Sequence, residues 1–114
     1  MQFMLILSAE RDLPGPTREQ MFAEIAVYAG GLAAEGRIQG GAPLHDEEEG
    51  ARVRVRNGKT SVVDGPFTET KEIVGGFFLI EAASREEAID IAGRCPAATT
   101  GFVEVREVLP VGPM

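Results

Sequence analysis

No tryptophan occurs in the 114 residues, and tyrosine, cysteine and histidine occur once each, as Tyr28, Cys95 and His45. Each scarcity removes a class of protein. A lone cysteine excludes an internal disulfide, and with it a disulfide-stapled scaffold. One histidine beside Asp46 and the run Glu47–Glu49 has no defined ligand spacing, so no metal site and no cofactor is expected. Basic residues are in deficit: 11 Lys and Arg stand against 18 Asp and Glu, for a net charge of −7. That balance, with a pI near 4.7, argues against nucleic acid or an anionic membrane as the main partner. Apolar runs are too short to span a bilayer. The first residues carry no basic segment and no small-residue cleavage site, so no secretion signal is read and the cytoplasm is the expected location. The G-x-S-x-G, Walker and dinucleotide glycine fingerprints are all missing, as are internal repeats and low-complexity segments.

What is present fits one globular domain. The length suffices for one core and not for two. Hydrophobic residues make up 44% and charged residues 25%, ordinary values for a globular chain. Gln2 to Ser8 is nearly continuously apolar, as a central strand covered on both faces would be. Glu10 to Pro16 reads as a loop, broken by Pro14-Gly15-Pro16. Thr17 is an N-cap, with Gln20 completing a capping box. The helix that follows sets Met21, Ile25, Tyr28 and Leu32 on one stripe, with Phe22 and Ala29 beside it. Gly30-Gly31 either permits close packing on the sheet or marks a kink, and Gly36 is placed to end the helix. Arg37 to Leu44 is a short strand whose glycines suggest a bulge or close backbone approach.

His45 to Gly50 is a polar, acidic loop. Ala51 to Asp64 reads as a hairpin turning at Asn57-Gly58, the sequence favoured by a type I′ turn. The turn sets the register: Arg56 faces Lys59, Val55 faces Thr60, Arg54 faces Ser61, and Val53 faces Val62. Arg52, Arg54 and Arg56 then share one face, which is solvated, opposes the acidic loop, or meets an anionic ligand. Val74 to Ala82 is a second central strand. Ser84 caps another helix, with Glu87 at the capping-box position and Ala88, Ile91 and Cys95 on its inner stripe. Cys95 is read as a small core residue, and Pro96 stops the helix. Phe102 to Leu109 is the last strand, with one wet face. The domain is expected over residues 1–109, with 110–114 a flexible tail.

The order β-α-β, hairpin, β-α-β gives an α+β fold: a ferredoxin-like split βαβ with an inserted β-hairpin. Its helices cover one sheet face. No element is left for the other, so a homodimer of the dimeric α+β barrel kind is expected.

Between hairpin and second central strand lies Asp64-Gly65-Pro66-Phe67-Thr68-Glu69-Thr70-Lys71-Glu72, followed by Gly75-Gly76. Gly65-Pro66 is turn chemistry, and four ionisable side chains fall within these nine residues. The stretch resembles the signature of the DGPF branch of the YCII-related proteins, and the layout agrees from the first strand to Val105. The resemblance implies the dimeric α+β barrel fold and a small-molecule enzyme or binder. DGPF proteins also resemble partners of extracytoplasmic-function sigma factors, which implies a non-catalytic, regulatory alternative. Leu44-His45 matches a Leu-His pair of that branch, although Asp46 stands where proline follows there. The wider family has a histidine at the start of the first helix, paired with an aspartate. Here that start reads Arg18, Glu19, Gln20, Met21, so the dyad does not carry over.

The candidate site is a cleft beside the sheet. Asp64, at the end of an apolar strand, is either a partly desolvated general base or an Asx-type cap on the N–H groups near Gly65 and Phe67. His45 is the natural acid or base near neutrality, or a surface loop residue. Arg54, Pro66, Phe67, Glu69 and Lys71 are candidate ligand contacts. An ion-pair network of Glu69, Lys71 and Glu72 would explain the loop without chemistry.

Overall fold

The computed structural model describes residues 1–11 and 13–110. Gln2–Glu10 form β1, extended two residues beyond the apolar run because its end still pairs with a neighbouring strand. The helix α1 spans Arg18–Ala34 behind the expected box: the Thr17 hydroxyl accepts from the Gln20 N–H, and the Gln20 side chain accepts from the Thr17 N–H. Gly36, at φ 73°, follows its C-cap. A Cβ at Gly30 or Gly31 would meet nothing within 4 Å, so the glycine pair serves no close packing on the sheet.

Ile38–Pro43 form β2, which carries the irregularity its glycines suggested: pairing shifts between Ile38 and Gly40. Gly41 sits at φ 147°, and a Cβ there would lie 2.6 Å from the Phe77 carbonyl. The acidic loop holds a 3-10 turn at Glu47–Glu49. Ala51–Arg56 and Lys59–Asp64 are β3 and β4, a hairpin in the expected register with Asn57 at φ 53° and Gly58 at φ 74°.

Glu72–Glu81 form β5, and Arg85–Gly93 form α2. Ser84 caps α2 by accepting from the Glu87 N–H. The reciprocal half of that box does not form, because Glu87 accepts from the Ala83 N–H and pairs with Arg37 instead. α2 stops at Gly93, which leaves Cys95 beyond the expected helix, and Pro96 is the N-cap of α3, a single turn at Ala97–Thr100 not foreseen from the sequence. Gly101–Glu107 form β6, which starts one residue before the expected strand and leaves its last two residues, Val108 and Leu109, outside. Of the expected tail only Pro110 lies within the described residues.

The four-stranded sheet is antiparallel throughout, ordered β2-β5-β1-β6, with the two most apolar strands in the middle. This is the ferredoxin-like split βαβ. Phe3, Leu5, Leu32, Ile80, Ile91 and Cys95 fill the layer between sheet and helices. Burial pushes the Cys95 thiol above its usual value. On the opposite face Met4 stands across from Leu79 and Ile6 across from Phe77, and all four are only half-buried. The hairpin forms its own two-stranded sheet, with all twelve strand residues exposed. No helix is long and apolar enough to cross a membrane among the described residues.

Candidate functional site

The C-terminal half of α1 is tied down. Leu32 is buried, and the Tyr28 hydroxyl donates to the Ile91 carbonyl at 2.8 Å. The Tyr28 ring meets Phe78 edge-on at 5.9 Å. Burial, the largest influence, raises the Tyr28 hydroxyl well above its usual pKa. Toward the N-terminal half, helix and sheet are separated by a cleft of about 450 Å³. Small residues explain the gap: Ala26 and Ala29 face it from the helix, and Gly41, Ala42, Gly75 and Gly76 from the sheet. Larger side chains at Ala26 or Ala29 would fill the space that the interior normally closes, whereas a Cβ at Gly41 or Gly76 would strike the neighbouring strand. Met21, Phe22, Ile25 and Phe78 give the walls their apolar character.

Arg18, the first residue of α1, supplies the only charge on this lining among the described residues. Its guanidinium lies 4.8 Å above the Phe22 ring and donates to the Leu44 carbonyl at 2.7 Å. It also pairs with Asp46. His45 stands between the two residues that Arg18 holds, and it lines a second cavity of about 410 Å³. Asp46, Glu47, Arg52, Phe67 and Thr70 share that polar cavity, and Ile73 lines both.

The motif loop is clasped from three sides. Arg11, just past β1, donates to both carboxylate oxygens of Glu47, at 2.5 and 2.9 Å. The same guanidinium reaches the Thr70 carbonyl at 2.9 Å and the Phe67 carbonyl at 3.0 Å. The Arg11 hydrogen bond, more than any other influence, holds the Glu47 carboxyl below its usual range. Arg52 stacks 4.1 Å over the Phe67 ring and pairs with Glu69. The Gly65 N–H donates to the Gly50 carbonyl at 2.9 Å, and a Cβ on Gly65 would lie 1.8 Å from the Glu47 carbonyl oxygen. Only glycine fits there.

Of the candidate residues, His45 and Phe67 come together at the polar cavity, whereas Asp64, Arg54, Pro66, Glu69 and Lys71 line neither cavity. Asp64 is exposed, and its side chain makes no hydrogen bond among the described residues. The desolvation expected of it is therefore missing, and so is the Asx cap, since the Gly65 N–H turns to Gly50. The loop network is also different from the one expected: Glu69 pairs with Arg52 rather than Lys71. Of the arginine face only Arg52 reaches the motif loop. Arg11 and Arg18 escaped the sequence reading. Arg11 sits in an irregular segment with no pattern to mark it, while Arg18 was visible only as the residue replacing a histidine. Among the described residues no group of three His, Cys, Asp or Glu side chains is placed to hold a metal ion.

A two-layer α+β domain with a cleft between its first helix and its sheet defines a ferredoxin-like protein. Among such proteins the chain belongs to the YCII-related family, whose domain model matches residues 1–112. An uncharacterised protein of Rhizobium meliloti (strain 1021) is 37% identical over 90 residues, covering 77% of this chain and 73% of that one. The solved structure of 5-chloro-2-hydroxyhydroquinone dehydrochlorinase from Burkholderia phenoliruptrix, in complex with 2,5-dihydroxybenzoquinone, superposes with a TM-score of 0.53. It is 21% identical, and the match covers 96% of this chain and 94% of that one, a likeness of fold.

Proposed function

We propose that this chain is a small-molecule-binding protein or enzyme whose ligand lies in the cleft under α1, with His45 in the neighbouring cavity as the candidate catalytic side chain. The observation that carries this reading is the cleft itself: about 450 Å³, walled by apolar side chains, with Arg18 at one end. That size lies within the usual range for small-molecule sites, roughly 300–1,000 Å³. The dehydrochlorinase of the same fold, which binds a single-ring quinone, supports the class of ligand. The motif loop takes the supporting role in this reading. Its Phe67 and Thr70 carbonyls accept from Arg11, whose guanidinium also holds Glu47 in the segment that carries His45.

A thermal-shift screen of small aromatic and aliphatic metabolites tests the reading. A ligand that binds only the folded protein raises its melting temperature in proportion to RT ln(1 + [L]/Kd). Compounds that stabilise the parent should not stabilise Ala29→Leu, which puts a side chain into the empty space. A screen whose hits stabilise both proteins equally would remove the cleft.

The half-buried face of Met4, Ile6, Phe77 and Leu79 supports assembly as a homodimer. The exposed hairpin favours a second reading, a regulatory interaction protein of the sigma-factor-associated kind. In that case deleting the hairpin abolishes partner capture and leaves the ligand response intact.

A further inference from the structure

From the chemistry of the cleft we infer that its ligand is an apolar monocarboxylate, a ring- or chain-bearing acid whose carboxylate takes the place of Asp46 on Arg18; this rests on the cleft reading above. Among the described residues Arg18 is the only charged one on a lining whose other polar side chains are Ser8 and Thr100. A cationic ligand would meet like charge at the one place where charge is offered.

The guanidinium is already oriented for the task. Phe22 supports its plane at 4.8 Å, and the Leu44 carbonyl holds one amino group at 2.7 Å. A guanidinium has five N–H donors in a rigid fork that matches a carboxylate. In this structure Asp46 takes one of them, as a carboxylate acceptor supplied by the chain itself. Both partners of that pair are well exposed, at 44% and 64%, so water competes for it and it is held weakly. A ligand acid whose body is buried in the cleft brings its carboxylate to the same fork with a hydrophobic contribution that Asp46 lacks. One guanidinium fork, with no second cation on the described lining, suits a singly charged planar acid better than a phosphate.

Two probes of nearly equal shape, 2-naphthoate and 2-naphthalenemethanol, test this by isothermal titration calorimetry and naphthalene fluorescence. The parent should bind the acid about tenfold more tightly than the alcohol, the worth of one charge-assisted contact. Arg18→Gln should erase that preference while leaving the alcohol's affinity near the parent value. Asp46→Asn should tighten the acid several-fold and leave the alcohol unchanged, which a merely structural role of the pair would not produce. Equal binding of the two probes by the parent, or a preference that survives Arg18→Gln, overturns the carboxylate inference and leaves the cleft as a neutral-ligand site. Binding of neither probe overturns the cleft reading as well.

Discussion

Replacing glycine by alanine at position 65 and at position 30 should move stability in opposite directions. At Gly65 the added methyl would stand 1.8 Å from the Glu47 carbonyl oxygen, far inside contact distance, so the motif loop and the 3-10 turn must separate. Separation breaks the Gly65–Gly50 hydrogen bond of 2.9 Å, worth about 1 kcal/mol. Forcing a group into a filled site adds roughly 1–3 kcal/mol. The expected loss is about 2–4 kcal/mol. For a domain of this size each kcal/mol moves the midpoint by roughly 3–6 °C, so a fall of about 10–20 °C is expected. At Gly30 a Cβ meets nothing within 4 Å, in the interior of a 17-residue helix. There alanine should stabilise by roughly 0.5–1 kcal/mol, through helix propensity and a less flexible unfolded chain. Circular dichroism melts at one fixed protein concentration read both variants, since assembly would couple the midpoint to concentration. A Gly65→Ala protein melting within about 3 °C of the parent would refute the claim that the DGPF glycine is required by packing.

Other outcomes follow from the same geometry. Because the Glu47 carboxyl is held low by Arg11, its pair contributes above the unfolded value of about 4.3 and is lost as pH falls through the folded value. The stability gap between parent and Glu47→Gln in urea should be open at pH 7 and narrow progressively as the pH falls below the unfolded value. Asp64→Asn and Asp64→Ala should both melt within about 0.5 kcal/mol of the parent, since the side chain is exposed and unbonded; a larger loss in the alanine variant alone would restore the turn cap. Gly58→Val should destabilise the hairpin, because φ 74° is unfavourable for a β-branched residue, and an unchanged amide-exchange pattern there would contradict the type I′ turn. Sedimentation equilibrium at micromolar concentration should show twice the 12.2 kDa chain mass, and a persistent monomer would remove the dimer.

Much of this fold is legible because its signals are local. The apolar runs of β1 and β5, the Thr17–Gln20 box and Asn57-Gly58 each act within a few residues, and each appears where the sequence puts it. What was not legible depends on partners distant in the chain. Glu87 looked like half of a capping box, but Arg37, fifty residues away, draws it aside. Asp64 looked like a turn cap until Gly50 took the Gly65 N–H. The Gly75-Gly76 pair was noticed, yet its consequence, a gap under α1, requires knowing that Ala26 and Ala29 stand opposite. Arg11 is the extreme case. It binds three separate carbonyl or carboxylate groups of the motif region from a segment with no periodicity, so only the folded chain reveals it.

The central claim is that a ligand enters between α1 and the sheet. A titration of the ¹⁵N-labelled protein with 2-naphthoate, followed by amide chemical shifts, tests it most directly. The account predicts that the largest shifts fall on Ala26, Ala29, Gly41 and Gly76, which line the cleft, and on Arg18 and Asp46 at its mouth. Shifts confined to the hairpin and to the Phe67 side of the polar cavity, with the α1 amides unmoved, would contradict it.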